Sequence, residues 1–242
     1  LQIGVNSEYI VGLELFANPT DVRTLLPFLG SLENRELKFK NIIADAGYES
    51  EENYEYLFNN NYTRYIKTQN YEKQKRKKYK QDISKVENMQ YVQKRDVYIC
   101  ANNKELEYQY TFKKKNSSGY ISEKKDNKCN NCGDCLFAER CKKTSNNKKL
   151  HVASNFLRFR KKSQENITSE KGIILRMNRS IQVEGAFGVL KQNMKFKRFK
   201  YRERSKTKVE VLLFAIGYNL RKYVHKKEQK REGMKLHKLA IN

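Results

Sequence analysis

Phe39-Lys40-Asn41-Ile42-Ile43-Ala44-Asp45-Ala46-Gly47-Tyr48 sets a short apolar run against one carboxylate, a glycine and a tyrosine. The run is too short for a helix and carries β-branched residues, so it reads as a buried strand delivering Asp45 at its C-terminal end. In open α/β sheets that end is where chemistry gathers. Gly47 lets the backbone turn tightly enough for Asp45 to face an open cleft. Asp45 could instead cap the helix that follows, but Ser50 is better placed for that task.

Around this strand the pattern alternates. Residues 1–16 read as a β-hairpin, with Ile3, Val5, Tyr9, Val11, Leu13 and Phe16 apolar and the turn at Val5-Asn6-Ser7-Glu8. Asn18-Pro19-Thr20-Asp21 is a loop and helix start, with Asp21 as a structural cap. The helix it opens carries Val22, Leu25, Leu26 and Leu29 and runs to Gly30. Downstream, Ser50 opens a helix with Tyr54, Leu57 and Phe58 inward, and residues 62–68 read as a further strand. Strands alternating with helices imply an α/β core built on one mixed sheet. The pattern changes near Gln69. Residues 70–165 read as a basic insertion that begins with Lys73–Lys80 (KQKRKKYK) and contains strand-like pieces at 96–100 and 107–112. The core resumes over 166–226 with helices at about 173–194 and 206–226, and 227–242 form a polar, frayed tail.

The first of those late helices carries a second carboxylate in Val183-Glu184-Gly185-Ala186-Phe187-Gly188. Met177, Ile181, Glu184, Gly188 and Lys191 share one helical face, with Val183, Phe187 and Leu190 beside it. Glu184 is then held at the margin of the core, and Lys191 two turns on can touch a phosphate. The plainer account makes both solvated edge residues. Carboxylates far apart in sequence can meet in space and hold hard divalent cations through oxygen.

A net charge of +24 and a pI near 9.7 favour a polyanionic partner, with nucleic acid the commonest. A lysine-rich chain with solvated faces is the alternative, but the basic residues cluster. Runs lie at Lys113–Lys115, Arg158–Lys162 and 195–202. The last interleaves Lys195, Lys197, Arg198, Lys200 and Arg202 with Phe196, Phe199 and Tyr201, which suits DNA. A β-strand with inner aromatics and outer cations fits the same pattern. No run of about twenty apolar residues exists to span a membrane. Residues 1–5 have no signal-peptide pattern, and a start inside a strand without methionine reads as a fragment of a longer protein.

Cys129-x-x-Cys132-x-x-Cys135, followed by Cys141, can enclose a tetrahedral zinc ion, and Gly133 eases the turn between ligands. An iron–sulfur cluster or four reduced thiols are the alternatives. Cys100 stands apart and reads as a core residue. His151, His225 and His237 are scattered, without metal spacing.

Ile42–Tyr48, Gln182–Gly188 with Lys191, and Leu213-Phe214-Ala215-Ile216-Gly217-Tyr218-Asn219-Leu220 together resemble the bacterial insertion-sequence DDE transposases. The closest type is the family numbered eleven-eighty-two, which has a cysteine-containing insertion in its catalytic domain. Leu1–Asn6 and Ala17–Asp21 look like its early strand and loop, so the resemblance covers essentially the whole chain. It implies a ribonuclease H-like mixed sheet with flanking helices, interrupted by the basic, cysteine-rich insertion. In that family three acids hold two divalent ions, Mg2+ or Mn2+. Asp45 matches the second acid and Glu184 the third. The first belongs to a strand upstream of Leu1, so these residues alone are expected to be inactive. Lys191 keeps the family's lysine position, but Met177 and Ser180 stand where related enzymes have tyrosine and arginine, and Arg179 is one residue out of register. The implied activity is metal-dependent cleavage and transfer of DNA strands. It would act on terminal inverted repeats and target DNA, as a homodimer when whole, in the bacterial cytoplasm at the nucleoid. The residues themselves leave open a non-catalytic nucleic-acid-binding zinc protein, or a ribonuclease H-like nuclease that does not join strands.

Overall fold

A computed structural model describes residues 1–232. His237 and residues 233–242 of the expected tail lie outside the described residues. The elements run β1 (Gln2–Asn6), β2 (Tyr9–Glu14), α1 (Leu25–Glu33), β3 (Asn41–Ala44), α2 (Glu51–Asn59) and β4 (Thr63–Ile66). There follow α3 (Tyr71–Gln74), α4 (Lys77–Lys80), β5 (Gln90–Val92), β6 (Val97–Ile99), β7 (Glu105–Lys115), β8 (Ile121–Cys129), α5 (Ala138–Cys141) and β9 (Lys149–Val152). Three long helices close the chain: α6 (Ser154–Thr168), α7 (Glu170–Gly188) and α8 (Arg204–Glu228). Two compact units share the described residues: 1–49, 55–67 and 163–232 form one, and 50–54 with 68–162 the other.

In the first unit β1 and β2 form the expected hairpin, paired from Gln2 with Glu14 to Asn6 with Tyr9. Its turn residues, Ser7 and Glu8, both have positive φ, 51° and 73°, as a two-residue hairpin loop requires. Neither is glycine, and ties from other elements offset the strain. The Glu8 amide donates to Gln182 Oε1, its carbonyl accepts from the Tyr218 hydroxyl, and its carboxylate meets Lys222, Lys226 and Arg231. The core joins β2, α7, the turn after it and α8 through Ile10, Leu13, Ala186, Leu190, Val211 and Tyr218. On the hairpin's other face, α1 packs so closely that a Cβ on Gly12 would lie 2.5 Å from Leu32 Cδ2.

β3 and β4 run parallel, Asn41 beside Thr63 through Ala44 beside Ile66. Ser163 within α6 covers the outer edge of β4 by accepting from the Ile66 amide at 3.1 Å and donating to its carbonyl at 2.9 Å. The structure departs from the expected single mixed sheet: β1–β2 and β3–β4 are separate two-stranded ladders among the described residues. Two further expectations are corrected. α1 continues past Gly30, because Leu32 extends its buried face. Phe58 of α2 points outward, 53% exposed, and lies against the Arg64 guanidinium.

The second unit holds a five-stranded antiparallel sheet in the order β5-β6-β7-β8-β9, more strand than the sequence betrays. β7 and β8 pair over their length, from Leu106 with Cys129 to Lys115 with Ile121. Tyr98, Leu106, Cys129, Cys132 and Val152 form its core.

Candidate functional site

Asp45 ends β3 as expected and is about half exposed at 45%. Its carboxylate accepts from the Gly47 amide at 2.9 Å, closing the tight turn Ala46–Tyr48. A Cβ on Gly47 would stand 3.1 Å from Asp45 Oδ1 and 3.6 Å from Asp21 Oδ2, so two carboxylates crowd this turn. Ser50 makes the helix cap, accepting from the Asn53 amide at 3.1 Å. The second carboxylate was not legible as a site residue, since the sequence presents Asp21 only as a cap; the fold brings it to Asp45. Tyr48 registers both. Burial pushes its phenol pKa well above the ordinary value of 10.0, and the charges of Asp21 and Asp45 push it further.

Asp21, Asp45 and Tyr48 line a cleft of about 500 Å3 in the first unit, shared with residues of β1, β3 and α7. From α7 the cleft receives Leu175, Asn178, Arg179, Gln182, Val183 and Phe187. Arg179 Nη2 lies 3.2 Å from Asp45 Oδ2, and the pair is only partly buried. This guanidinium of α7 thus lies on the Asp45 carboxylate itself. Two buried polar atoms in the lining, Gln2 Oε1 and Asn41 Oδ1, have no hydrogen-bond partner among the described residues.

Glu184 belongs to another face of α7. At 100° per residue it sits about 140° around the helix from Arg179. It is exposed, its carboxylate accepts from Ser180 Oγ at 2.9 Å, and it does not line the cleft. Ile173, Met177 and Ile181 share its outward face and are each more than 40% exposed. The structure therefore brings Asp45 to Asp21 and Arg179, not to Glu184. Among the described residues no three His, Cys, Asp or Glu side chains stand placed to hold a metal ion. One half-exposed, arginine-paired aspartate with a second beside it does not make a closed two-ion site.

Past Gly188 the helix widens into one π-turn, Val189–Asn193, which buries Leu190 and leaves Lys191 exposed 5.5 Å from the Phe187 ring. Residues 195–203 then cross to α8 without strand pairing, so the strand reading of this segment is overturned. Phe196 anchors it against Phe199 and Phe214, with ring centroids 5.5 and 5.1 Å away. Lys195, Lys197, Arg198, Lys200 and Arg202 are all exposed, as are Phe199 at 44% and Tyr201 at 52%. Among the described residues none of these cations, nor Lys191, makes an ion pair. A cationic loop bearing exposed rings can meet phosphate and stack on a base.

In the second unit Cys129, Cys132, Cys135 and Cys141 gather round a cavity of about 20 Å3, as their spacing suggests. Cys100 packs against the core of this unit as expected, but it also joins the four cysteines there and so does not stand apart. Burial pushes the Cys129 thiol up to about 11, and raises Cys141 as well. Thiolates are zinc's preferred soft ligands, so the donor chemistry fits that ion, although the sulfurs as placed are not closed on one.

No helix among the described residues is long and apolar enough to cross a membrane. The family model for the Transposase DDE domain matches residues 99–224, more than half of the chain. The match takes in the five cysteines, Glu184 and the cationic loop, while Asp45 lies before it. No curated protein and no solved structure matches the chain.

Proposed function

The chain belongs to the transposase DDE-domain family, and from that premise we propose that it binds transposon ends and takes part in cutting DNA and joining its strands. The observation that carries this reading is the cleft, where Asp45 leaves the end of a parallel strand half-exposed opposite α7, the helix that also bears Glu184. In this reading Asp45 and Glu184 are acids of a Mg2+ or Mn2+ site, and Lys191, Lys195, Lys197, Arg198, Lys200 and Arg202 hold DNA phosphates. The ion would polarise the scissile phosphodiester and activate the attacking oxygen. Glu184 stands on the outward face of α7, bonded to Ser180 and outside the cleft. Arg179 shields the Asp45 carboxylate when no cation is there. A zinc ion on the cysteine cluster is structural, homodimer formation belongs to the whole protein, and its setting is bacterial DNA at the nucleoid.

A second reading, a non-catalytic DNA-binding protein with a zinc module, is favoured by one observation: Asp45 is paired with Arg179 and Glu184 faces away. One experiment separates the two. The complete gene product is incubated with Mn2+, supercoiled plasmid and a labelled DNA end carrying a free 3′ hydroxyl, beside its Asp45→Asn and Glu184→Gln variants. Label joined to plasmid by the wild type and lost in both variants, with DNA binding retained, supports the transposase reading. Nicking without joining points to a hydrolytic nuclease. Joining that survives both substitutions rejects these residues as catalytic acids.

A further inference from the structure

Five sulfurs ring the small cavity of the second unit, although only four of those cysteines are close in sequence. The fifth, Cys100, follows β6 and opens a tight turn. The Cys100 amide donates to the Lys104 carbonyl, the Asn103 amide donates to the Cys100 carbonyl, both at 2.9 Å, and Asn103 takes φ 54°. Lys104 then reaches the other cysteine turn, its Nζ donating to the Asn131 carbonyl at 2.9 Å. That second turn is held as firmly. Asn131 Oδ1 accepts from the Gly133 amide at 2.8 Å, and Asn147 Oδ1 from the Cys132 amide at 3.0 Å. Two fixed turns thus present sulfur to one space with room for a single small ion.

The five thiols are not equivalent. Cys129 lies within β8 opposite Leu106, is 2% exposed, and acts as a hydrogen-bond donor, its Sγ 3.7 Å from the Asn131 carbonyl. That contact already ties the Cys129 sulfur to its own turn, within a strand that fixes its place. Cys132 is an acceptor: the Lys148 amide donates to its Sγ at 3.4 Å, the arrangement that suits a thiolate. Lys104, Lys142 and Lys148 also line the cavity, and their charge offsets the surplus negative charge of four thiolates on a divalent ion.

Resting on the zinc reading above, we propose that Cys100 is a ligand of that ion, completing a tetrathiolate set with Cys132, Cys135 and Cys141, and that Cys129 is the thiol left out. The change of ligand alters what the metal does. Four ligands between 129 and 141 would close one local loop, whereas Cys100 makes the ion join the β6–β7 turn to the segment after β8. A cross-link of that span removes more freedom from the unfolded chain, so the metal staples the sheet.

The test is the zinc content of the purified wild-type chain and of single Cys→Ser variants at all five positions, with Co2+ titrated into the metal-free proteins. The expected result is one zinc per chain and a tetrahedral thiolate Co2+ spectrum in the wild type and in Cys129→Ser. Zinc affinity should fall at least tenfold in Cys100→Ser, as in the variants at 132, 135 and 141. Full zinc affinity in Cys100→Ser overturns the proposal, and loss in Cys129→Ser at the same time assigns the site to the four clustered cysteines. A wild type that binds neither zinc nor Co2+ removes the zinc reading itself, a distinct failure. Should the serine variant not fold, alkylation of the zinc-loaded wild type decides: Cys100 stays unmodified if it is a ligand, and its modification with zinc retained overturns the proposal.

Discussion

At the scale of single residues, the pair Asp45–Arg179 lets structure and chemistry be told apart. Both side chains are partly exposed, so the ion pair is worth at most about 1 kcal/mol. Asp45→Asn should therefore shift thermal unfolding little while reducing DNA joining by more than the roughly 10–100-fold that loss of an outer-shell metal partner costs. A stability loss well above 1 kcal/mol, with joining intact, would make Asp45 a structural residue. Glu8 behaves in the opposite way. Burial raises its carboxyl pKa, but the hydrogen bond from Lys226 and the charges of Lys222, Lys226 and Arg231 outweigh that and hold it below the ordinary 4.5. A depressed folded-state pKa adds stability that is in place above about pH 4.5 and is lost as pH falls through the folded value. Glu8→Gln removes the carboxylate partner of the fully buried Lys226, which keeps the Ser7 carbonyl, and should cost about 3 kcal/mol at neutral pH, and the variant's stability should no longer show that acid-side fall. Urea unfolding at pH 7 and at pH 3.5 checks both parts. Asp45 was legible in the sequence because a strand, a carboxylate and a glycine adjoin each other. Asp21 and Arg179 were not, since their meeting depends on how a loop and α7 come against β3, which no local pattern records.

At the scale of elements, the glycines of α7 make opposite predictions. A Cβ on Gly172 would come within 1.9 Å of the Asn166 carbonyl oxygen, so the α6–α7 corner exists only because no side chain is there. Gly185 has nothing within 4 Å of the same position and lies in the helix interior. Gly172→Ala should destabilise by about 1–3 kcal/mol or more, and Gly185→Ala should stabilise by roughly 0.5–1 kcal/mol. Equal shifts in unfolding midpoint for the two would show that the corner is looser than its geometry. The same corner explains what the sequence conceals. α6 reads as a basic run, because its buried stripe is only Phe159, Ser163 and Ile167 at four-residue spacing, and its middle member is a serine. That serine is buried for its hydrogen bonds to β4, a reason hydrophobic periodicity cannot carry. β1, β2 and α8 were legible, because each places large apolar residues on one face, and β3 because its apolar run is continuous. β7 and β8 were read in part or missed, since their lysine-rich faces are solvated and their pairing is set by a distant partner.

At the scale of the whole molecule, charge dominates: a surplus of 24 positive charges makes binding to a polyanion strong at low salt whatever the chemistry of the cleft. What distinguishes one basic segment from another is whether its cations are already engaged. Arg160 pairs with Glu87, and Lys75 with Glu72. The cations of 195–202 are exposed and pair with no carboxylate among the described residues, and the Phe196 anchor fixes the loop without involving them. Each cation that meets a phosphate on duplex DNA contributes about 0.9 to the slope of log K against log salt. Replacing Lys195, Lys197, Arg198, Lys200 and Arg202 together by glutamine should therefore lower the magnitude of that slope by about 0.9 for every member in contact, to a limit near 4.5. It should leave unfolding within about 0.5 kcal/mol of the wild type, since surface changes away from packed features are nearly neutral. Fluorescence anisotropy with labelled duplex DNA between 50 and 200 mM salt, the range over which such contacts change affinity by orders of magnitude, measures the slope directly. A slope lowered by several units with sequence preference unchanged makes the loop a backbone clamp, because phosphate contacts position a protein without reading bases. A slope lowered by less than one unit moves the DNA to another basic surface of the chain, and the exposed rings of Phe199 and Tyr201 then have no base to stack on.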